Sequence, residues 1–274
     1  MNFKENWAGN LKYISKQHFQ PENVEQIQEL IKNSKRIKTL GSRHCFNAIA
    51  DCDEIHLSLE KLNKIVSIDE KKMTIIVEGG AQYSDFCLEL NKAGYALPNL
   101  ASLANISVVG ACATATHGSG VTNRSLASTV SAIEFVSGNG EIINLNKKTD
   151  GEKFNGAVVN LGSLGIVTKI TLDVEKTYSV RQDLFENLQL DILKENFDEI
   201  MASGYSVSLF TNFQNKNIRV VNIKRRVDEK TGNLPNDFFG ATPATESINS
   251  RGIPDKNRSP QMGTANFWFE CLPH

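Results

Sequence analysis

Three short glycine-flanked turns, each beside a strand-like run, constrain this chain more than any other feature. They are Leu40-Gly41-Ser42-Arg43-His44-Cys45-Phe46-Asn47, Thr116-His117-Gly118-Ser119-Gly120 and Leu161-Gly162-Ser163-Leu164-Gly165. A glycine turn after a strand exposes successive backbone N–H groups, which can cradle a diphosphate. In the first turn Arg43 adds positive charge and Ser42 a hydroxyl donor. Just before the second turn, Gly110-Ala111-Cys112-Ala113-Thr114-Ala115-Thr116 is built of small residues, which let backbone approach something closely. Taken singly, the first turn reads equally well as a surface turn with a chance histidine, and the second reads more readily as structural than functional. Taken together, they point to one extended ligand that meets backbone at several places.

Around these turns the chain reads as α+β. Pro21 to Val24 opens a helix in which Val24, Ile27, Leu30 and Ile31 recur at helical spacing. Arg36 to Leu40 and Glu54 to Leu59 read as strands, the second with Ile55, Leu57 and Leu59 on one face. A hairpin spans Ile65 to Val77, and Tyr83, Phe86, Cys87 and Leu90 stripe a helix that Gly94 ends. Val130 to Leu145 is a second hairpin around Ser137-Gly138-Asn139-Gly140. A helix over Gly151 to Val159 and a strand over Gly165 to Val174 follow. The pattern changes near residue 175, where a domain boundary is expected. Beyond it come a strand (Val180 to Phe185), a single helix (Leu190 to Met201, striped by Leu193, Phe197 and Ile200) and two strands (Tyr205 to Phe210, Ile218 to Arg225). Asp228 to Ala265 reads as one long loop, unusual in a compact domain unless functional or disordered.

Composition removes several classes of function. Lys+Arg total 30 and Asp+Glu 31, so the net charge of −1 offers no basic field for nucleic acid. Lys224-Arg225-Arg226 is short and reads as a solvated strand edge. No membrane segment is expected, because no run approaches the ~18–20 apolar residues of a span. Five scattered cysteines without a CxxC pair read as reduced thiols, which points to a cytoplasmic protein. His18, His44, His56, His117 and His274 lack metal-ligand spacing, so no metal is expected. The dinucleotide fingerprint, the Walker phosphate loop and the nucleophile elbow are all missing.

The order and spacing of the turns, with Leu97-Pro98-Asn99-Leu100-Ala101-Ser102-Leu103 and Val109-Gly110 between them, resemble the flavin-binding module of the vanillyl-alcohol-oxidase superfamily, the PCMH-type FAD-binding domain. Asn6-Trp7-Ala8-Gly9-Asn10 and Tyr205 to Phe210 resemble its alditol (xylitol) oxidases, which are related to the aldonolactone oxidases. The resemblance runs from about Trp7 to His274. It implies a PCMH-type domain of two α+β subdomains over residues 1–175. An incomplete substrate-binding cap domain would occupy 176–274, with Phe267-Trp268-Phe269 read as a cut through it.

What the resemblance implies for the site can be placed residue by residue. Gly41, Ser42, Arg43, His44 and Cys45 would wrap the FAD diphosphate, and His44 would carry the flavin covalently at its 8α carbon. Ser102 would face the flavin's reactive edge. Ser107, Val108, Gly110, Ala113 and Thr114 would line the cofactor, and His117 and Gly118 would continue that wall. Ile166 and Val167 would meet the adenine end. Many wider relatives carry glycine where Arg43 stands and often serine where Cys45 stands. A thiol donates hydrogen bonds poorly, so the diphosphate contact at Cys45 would rest on backbone. The implied reaction oxidises a polyol or sugar lactone with O2 as acceptor, giving H2O2. The acidic and basic groups that serve substrate in that family would lie beyond His274, so no catalytic residue is assignable and little turnover is expected from residues 1–274 alone. An aldonolactone oxidase and a flavin-binding module without turnover are the alternatives.

Overall fold

The computed structural model describes residues 4–228, 231–249 and 259–273. The chain divides into two compact units. The first takes the described residues of Met1–Ala93 with Ala104–Thr116 and Ser125–Glu175. The second takes Gly94–Leu103, His117–Arg124 and the described residues of Lys176–His274.

In the first unit, strands β1 (Gln17–Phe19), β2 (Ile37–Thr39) and β3 (Ile55–Leu57) form a parallel sheet in the order β1-β3-β2. Parallel neighbours need a crossover, and helix α1 (Val24–Lys32) lies in the connection between β1 and β2. The Asn23 side chain starts α1 by accepting the Gln26 N–H at 2.9 Å. Ile27 and Ile31 on α1 then pack with Leu57, Leu59, Val136 and Ile166. The apolar face expected over Glu54 to Leu59 forms, but His56 and Ser58 on the opposite face are buried as well. Tyr13 meets the His56 ring edge-on at 5.1 Å and His18 lies 5.9 Å away, so aromatic rings cover that second face.

An antiparallel sheet completes the unit. It contains β4 (Ile65–Asp69), β5 (Thr74–Glu78), β6 (Val130–Ser137), β7 (Ile142–Asn146) and β8 (Gly165–Asp173), in the order β4-β5-β8-β6-β7. Helix α2 (Tyr83–Lys92) begins where the Asp85 carboxylate accepts the Gln82 N–H at 2.8 Å. It buries Tyr83, Phe86, Cys87 and Leu90. Helix α3 (Val108–Ala113) falls in the small-residue stretch and was not foreseen. Helix α4 (Lys147–Val158) bends at Gly151, where φ is +49°.

The second unit is built on an antiparallel sheet of β9 (Ser179–Gln189), β10 (Ser206–Phe210), β11 (Asn217–Val227), β12 (Thr242–Pro243) and β13 (Ala265–Phe267). Its order is β10-β11-β9-β12, with β13 also paired to β9. The single helix expected over Leu190 to Met201 is two, α5 (Leu190–Glu195) and α6 (Phe197–Ala202). Asn196 separates them at φ −122°, its side chain donating to the Ile192 carbonyl at 2.9 Å. Asparagine competes with the helix for its own carbonyls in this way. Phe197, expected on the apolar stripe, is 51% exposed, while Leu193 and Ile200 are buried against Phe185, Val207, Val221 and Phe238. The long segment after Asp228 contributes β12 and β13. Residues 229–230 and 250–258 of it lie outside the described part.

Candidate cofactor-binding site

A cavity of about 340 Å³ opens in the first unit, walled by the segment after β2, the start of α3 and the turn before β8. Strand β2 ends where the Leu40 N–H donates to the Leu57 carbonyl at 2.8 Å. The chain then turns through Gly41 and Ser42 and is pinned to α3. The Ser42 N–H donates to Ser107 Oγ at 3.4 Å, and the Ser107 N–H donates to Ser42 Oγ at 3.1 Å. This reciprocal pair needs very close backbone approach. A Cβ on Gly41 would stand 2.2 Å from Ser107 Oγ, and one on Gly110 would stand 2.5 Å from it.

Arg43 adopts φ +64°. That left-handed conformation costs a side-chain-bearing residue roughly 1–2 kcal/mol. Segment 4–13 holds it there. The Trp7 N–H donates to the Arg43 carbonyl at 2.9 Å, and Arg43 Nη1 donates to the Glu5 carbonyl at 2.8 Å. Asn6 Nδ2 donates to the Cys45 carbonyl at 3.0 Å.

His44 lies between this strap and the cavity. Its ring stacks on Trp7 with centroids 4.8 Å apart and planes 24° apart. Both ring nitrogens are buried, and neither makes a hydrogen bond of good geometry, the Ser42 backbone being a weak partner. Burial pushes the imidazole below its ordinary pKa; the nearby Ser42 backbone opposes the shift and the Arg43 charge adds to it. The ring is therefore held neutral, with a lone pair available on one nitrogen. Burial also raises the Cys45 thiol, which keeps it protonated.

The third turn is tied to the same helix by the Leu161 N–H, which donates to the Ala113 carbonyl at 3.0 Å. At its end Gly165 takes φ +150°, and a Cβ there would stand 2.2 Å from the Val136 carbonyl oxygen.

Gly41, Ser42, Arg43, His44, Cys45, Ser107, Gly110, Ala113, Thr114 and Val167 thus all line one cavity. Val108 is buried within α3 and Ile166 within the α1 core, and neither lines it. Ser102, His117 and Gly118 belong to the second unit. Ser102 is half-buried there and His117 exposed, with its Nδ1 3.1 Å from the Gly118 carbonyl oxygen. Sequence reasoning missed the polar wall of the cavity, made by Lys38, Glu60, Asn63, Gln82, Asp85 and Asn160. These residues come from scattered segments without a shared motif, and only the fold collects them.

The second unit contains its own tightly held segment. Tyr178 Oη donates to the Leu97 carbonyl at 2.8 Å, and Tyr205 Oη donates to the Pro98 carbonyl. The Arg226 guanidinium lies 3.7 Å from the Tyr178 ring centroid and 4.3 Å from that of Tyr205. It also donates to Tyr205 Oη at 2.8 Å. This clasp fixes the chain just before Ser102.

Residues 16–146 match the FAD binding domain family, a stretch that contains both the Gly41–Cys45 loop and α3. Just under half of this chain is thus similar to a known FAD binding domain. The α+β architecture is the one that the resemblance implied, and the cofactor of the FAD-binding domain is FAD. An alditol oxidase from Streptomyces sp. strain IKD472 is 41% identical over 274 residues, covering 98% of this chain and 64% of that protein. L-gulonolactone oxidase from Bos taurus is 29% identical over 205 residues, covering 73% of this chain and 47% of that protein. D-arabinono-1,4-lactone oxidase from Candida glabrata is 28% identical over 213 residues, covering 75% and 40%. The chain thus spans less than two thirds of the length of each of these relatives. Among the described residues, no helix is long and apolar enough to cross a membrane.

Proposed function

We propose that the protein is an FAD-dependent oxidoreductase that oxidises a CH–OH group of an alditol with O2 as acceptor, and that it holds FAD covalently through His44. The observation that carries the reading is the state of His44. Two buried ring nitrogens without a well-formed hydrogen bond are costly unless something else satisfies them. They sit beside a cavity whose wall is cleared of side chains at Gly41 and Gly110. Both features fit a large cofactor attached at this histidine.

In this reading Gly41 to Cys45 embrace the diphosphate, with backbone N–H groups as donors. Ser107, Gly110, Ala113 and Thr114 form the wall along the cofactor. Val167 meets its adenine end. Residues 1–175 serve as the cofactor domain and 176–274 as part of a substrate-binding domain. Bound FAD supplies hydride acceptance and the return of two electrons to O2. The protein's own part is to keep the His44 ring neutral and oriented and to hold the cofactor against backbone. Five free cysteines support a reducing compartment such as the cytoplasm.

The 41% identity to an alditol oxidase favours a polyol substrate. The matches at 29% and 28% support an aldonolactone as the second reading. H2O2 release by the full-length gene product separates them. The account expects peroxide with xylitol or sorbitol and much less with L-gulonolactone. The reverse order would transfer the assignment to lactones, and peroxide from neither would leave a flavin-binding module.

A further inference from the structure

The indole of Trp7 has an unusual position. It is 56% exposed, a costly place for a large apolar ring, yet it stacks on His44. The strap beneath it is built with care. Asn6 is 2% exposed, and its side-chain amide donates to Asn10 Oδ1 at 2.6 Å and to the Cys45 carbonyl at 3.0 Å. Its amide oxygen accepts the Leu11 N–H at 3.1 Å. The Trp7 main chain is fixed in turn by its bond to the Arg43 carbonyl. Two residues flanking His44 therefore give their carbonyls to the strap, and the strap returns an aromatic face to the His44 ring. The ring has no hydrogen bond of good geometry to orient it, only a weak polar contact with the Ser42 backbone. Within 4.8 Å, the stack with Trp7 supplies a flat surface that fixes its plane.

We propose that Trp7 is a positioning residue for flavin attachment, holding the His44 imidazole in the orientation from which a ring nitrogen bonds the cofactor. The inference rests on the covalent reading above. In that bond the His44 nitrogen gives up its proton and the flavin 8α carbon gives up one hydrogen. The two electrons and two protons released pass to O2 as H2O2. Only the orientation of the nitrogen depends on Trp7, so the indole should govern the rate of attachment and not the affinity for FAD. Misplacing a reacting group by about 1 Å can cost roughly 100-fold in rate.

The test uses the chain prepared from riboflavin-limited cells, given FAD under air. Two quantities are followed: FAD affinity, from flavin fluorescence quenching, and the rate at which flavin becomes acid-stable. Trp7→Ala keeps the main-chain bond to Arg43 and removes the ring. Trp7→Leu fills space without an aromatic face, and Trp7→Phe restores one. Trp7→Ala and Trp7→Leu should attach flavin at least about tenfold more slowly at near-unchanged affinity. Trp7→Phe should recover most of the rate. Wild-type rates in Trp7→Ala or Trp7→Leu would overturn the inference while leaving the covalent reading intact. Equal slowing in Phe, Leu and Ala, or rates that fall only in step with affinity, would also overturn it. Fully extractable flavin in the wild type would overturn both this inference and the covalent reading.

Discussion

Two irregular segments, Gly41–Cys45 in the first unit and Leu97–Ser102 in the second, are held in place by opposite means. The first is fixed by the absence of side chains. Gly41 and Gly110 clear the space that Ser107 Oγ occupies, and the loop's carbonyls bond to the strap of residues 4–13. The second is fixed by bulk, with Tyr178, Tyr205 and Arg226 gripping the Leu97 and Pro98 carbonyls through hydroxyls, rings and a guanidinium. The first leaves a cavity beside it. A wall made by removing atoms fails when one is added. A clasp made by adding atoms fails gradually, as its contacts are taken away one by one.

The largest effect should come from putting an atom back. Gly41→Ala places a methyl 2.2 Å from Ser107 Oγ, which must move or break its exchange with Ser42. Overpacking of this kind costs about 1–3 kcal/mol. Thermal unfolding should register that loss, together with a lower flavin-to-protein ratio. Ser107→Ala in the same chain should restore part of both, because the hydroxyl is the nearest obstacle and the Ser107 Cβ stands farther off at 3.1 Å. As a control, a Cβ on Gly156 in α4 meets nothing within 4 Å. Gly156→Ala should therefore stabilise slightly, by roughly 0.5–1 kcal/mol, with no change in flavin content. Equal behaviour of the two glycine variants would remove the contrast.

A smaller, graded effect is expected in the clasp. Arg226→Met loses two guanidinium–ring contacts and the bond to Tyr205. The cost should be about 1–3 kcal/mol. Tyr205→Phe removes only the hydroxyl and should cost about 1 kcal/mol. Urea unfolding followed by near-ultraviolet circular dichroism would rank them. A Tyr205→Phe loss as large as that of Arg226→Met would mean that the clasp works as one unit.

Much of the fold was legible wherever a residue repeat met a regular element. The stripe Val24, Ile27, Leu30 and Ile31 marked α1, and the alternation in Ile65 to Val77 marked the β4–β5 hairpin. Helix α3 carried no such mark. Its residues are small and its exposed face holds no charge to set against the buried one. Strands β12 and β13, two and three residues long, are too short to show a period. The split at Asn196 depends on a side chain competing with the helix, which apolar spacing does not register.

At the site, glycines marked the cavity wall because a missing side chain is visible in a sequence. The strap was visible only as Asn6-Trp7-Ala8-Gly9-Asn10, a stretch whose hold on residues 43–46 runs through backbone carbonyls. Such contacts leave no trace in the residues that accept them. The polar wall of Glu60, Asn63, Gln82 and Asp85 is likewise a product of topology.

Acid precipitation of the purified protein tests the central claim most directly, through the visible absorption of pellet and supernatant. The account predicts a yellow pellet from the wild type. His44→Ala should give a colourless pellet, with any bound flavin released to the supernatant. Wild-type flavin found entirely in the supernatant, or acid-stable flavin that persists in His44→Ala, would contradict it.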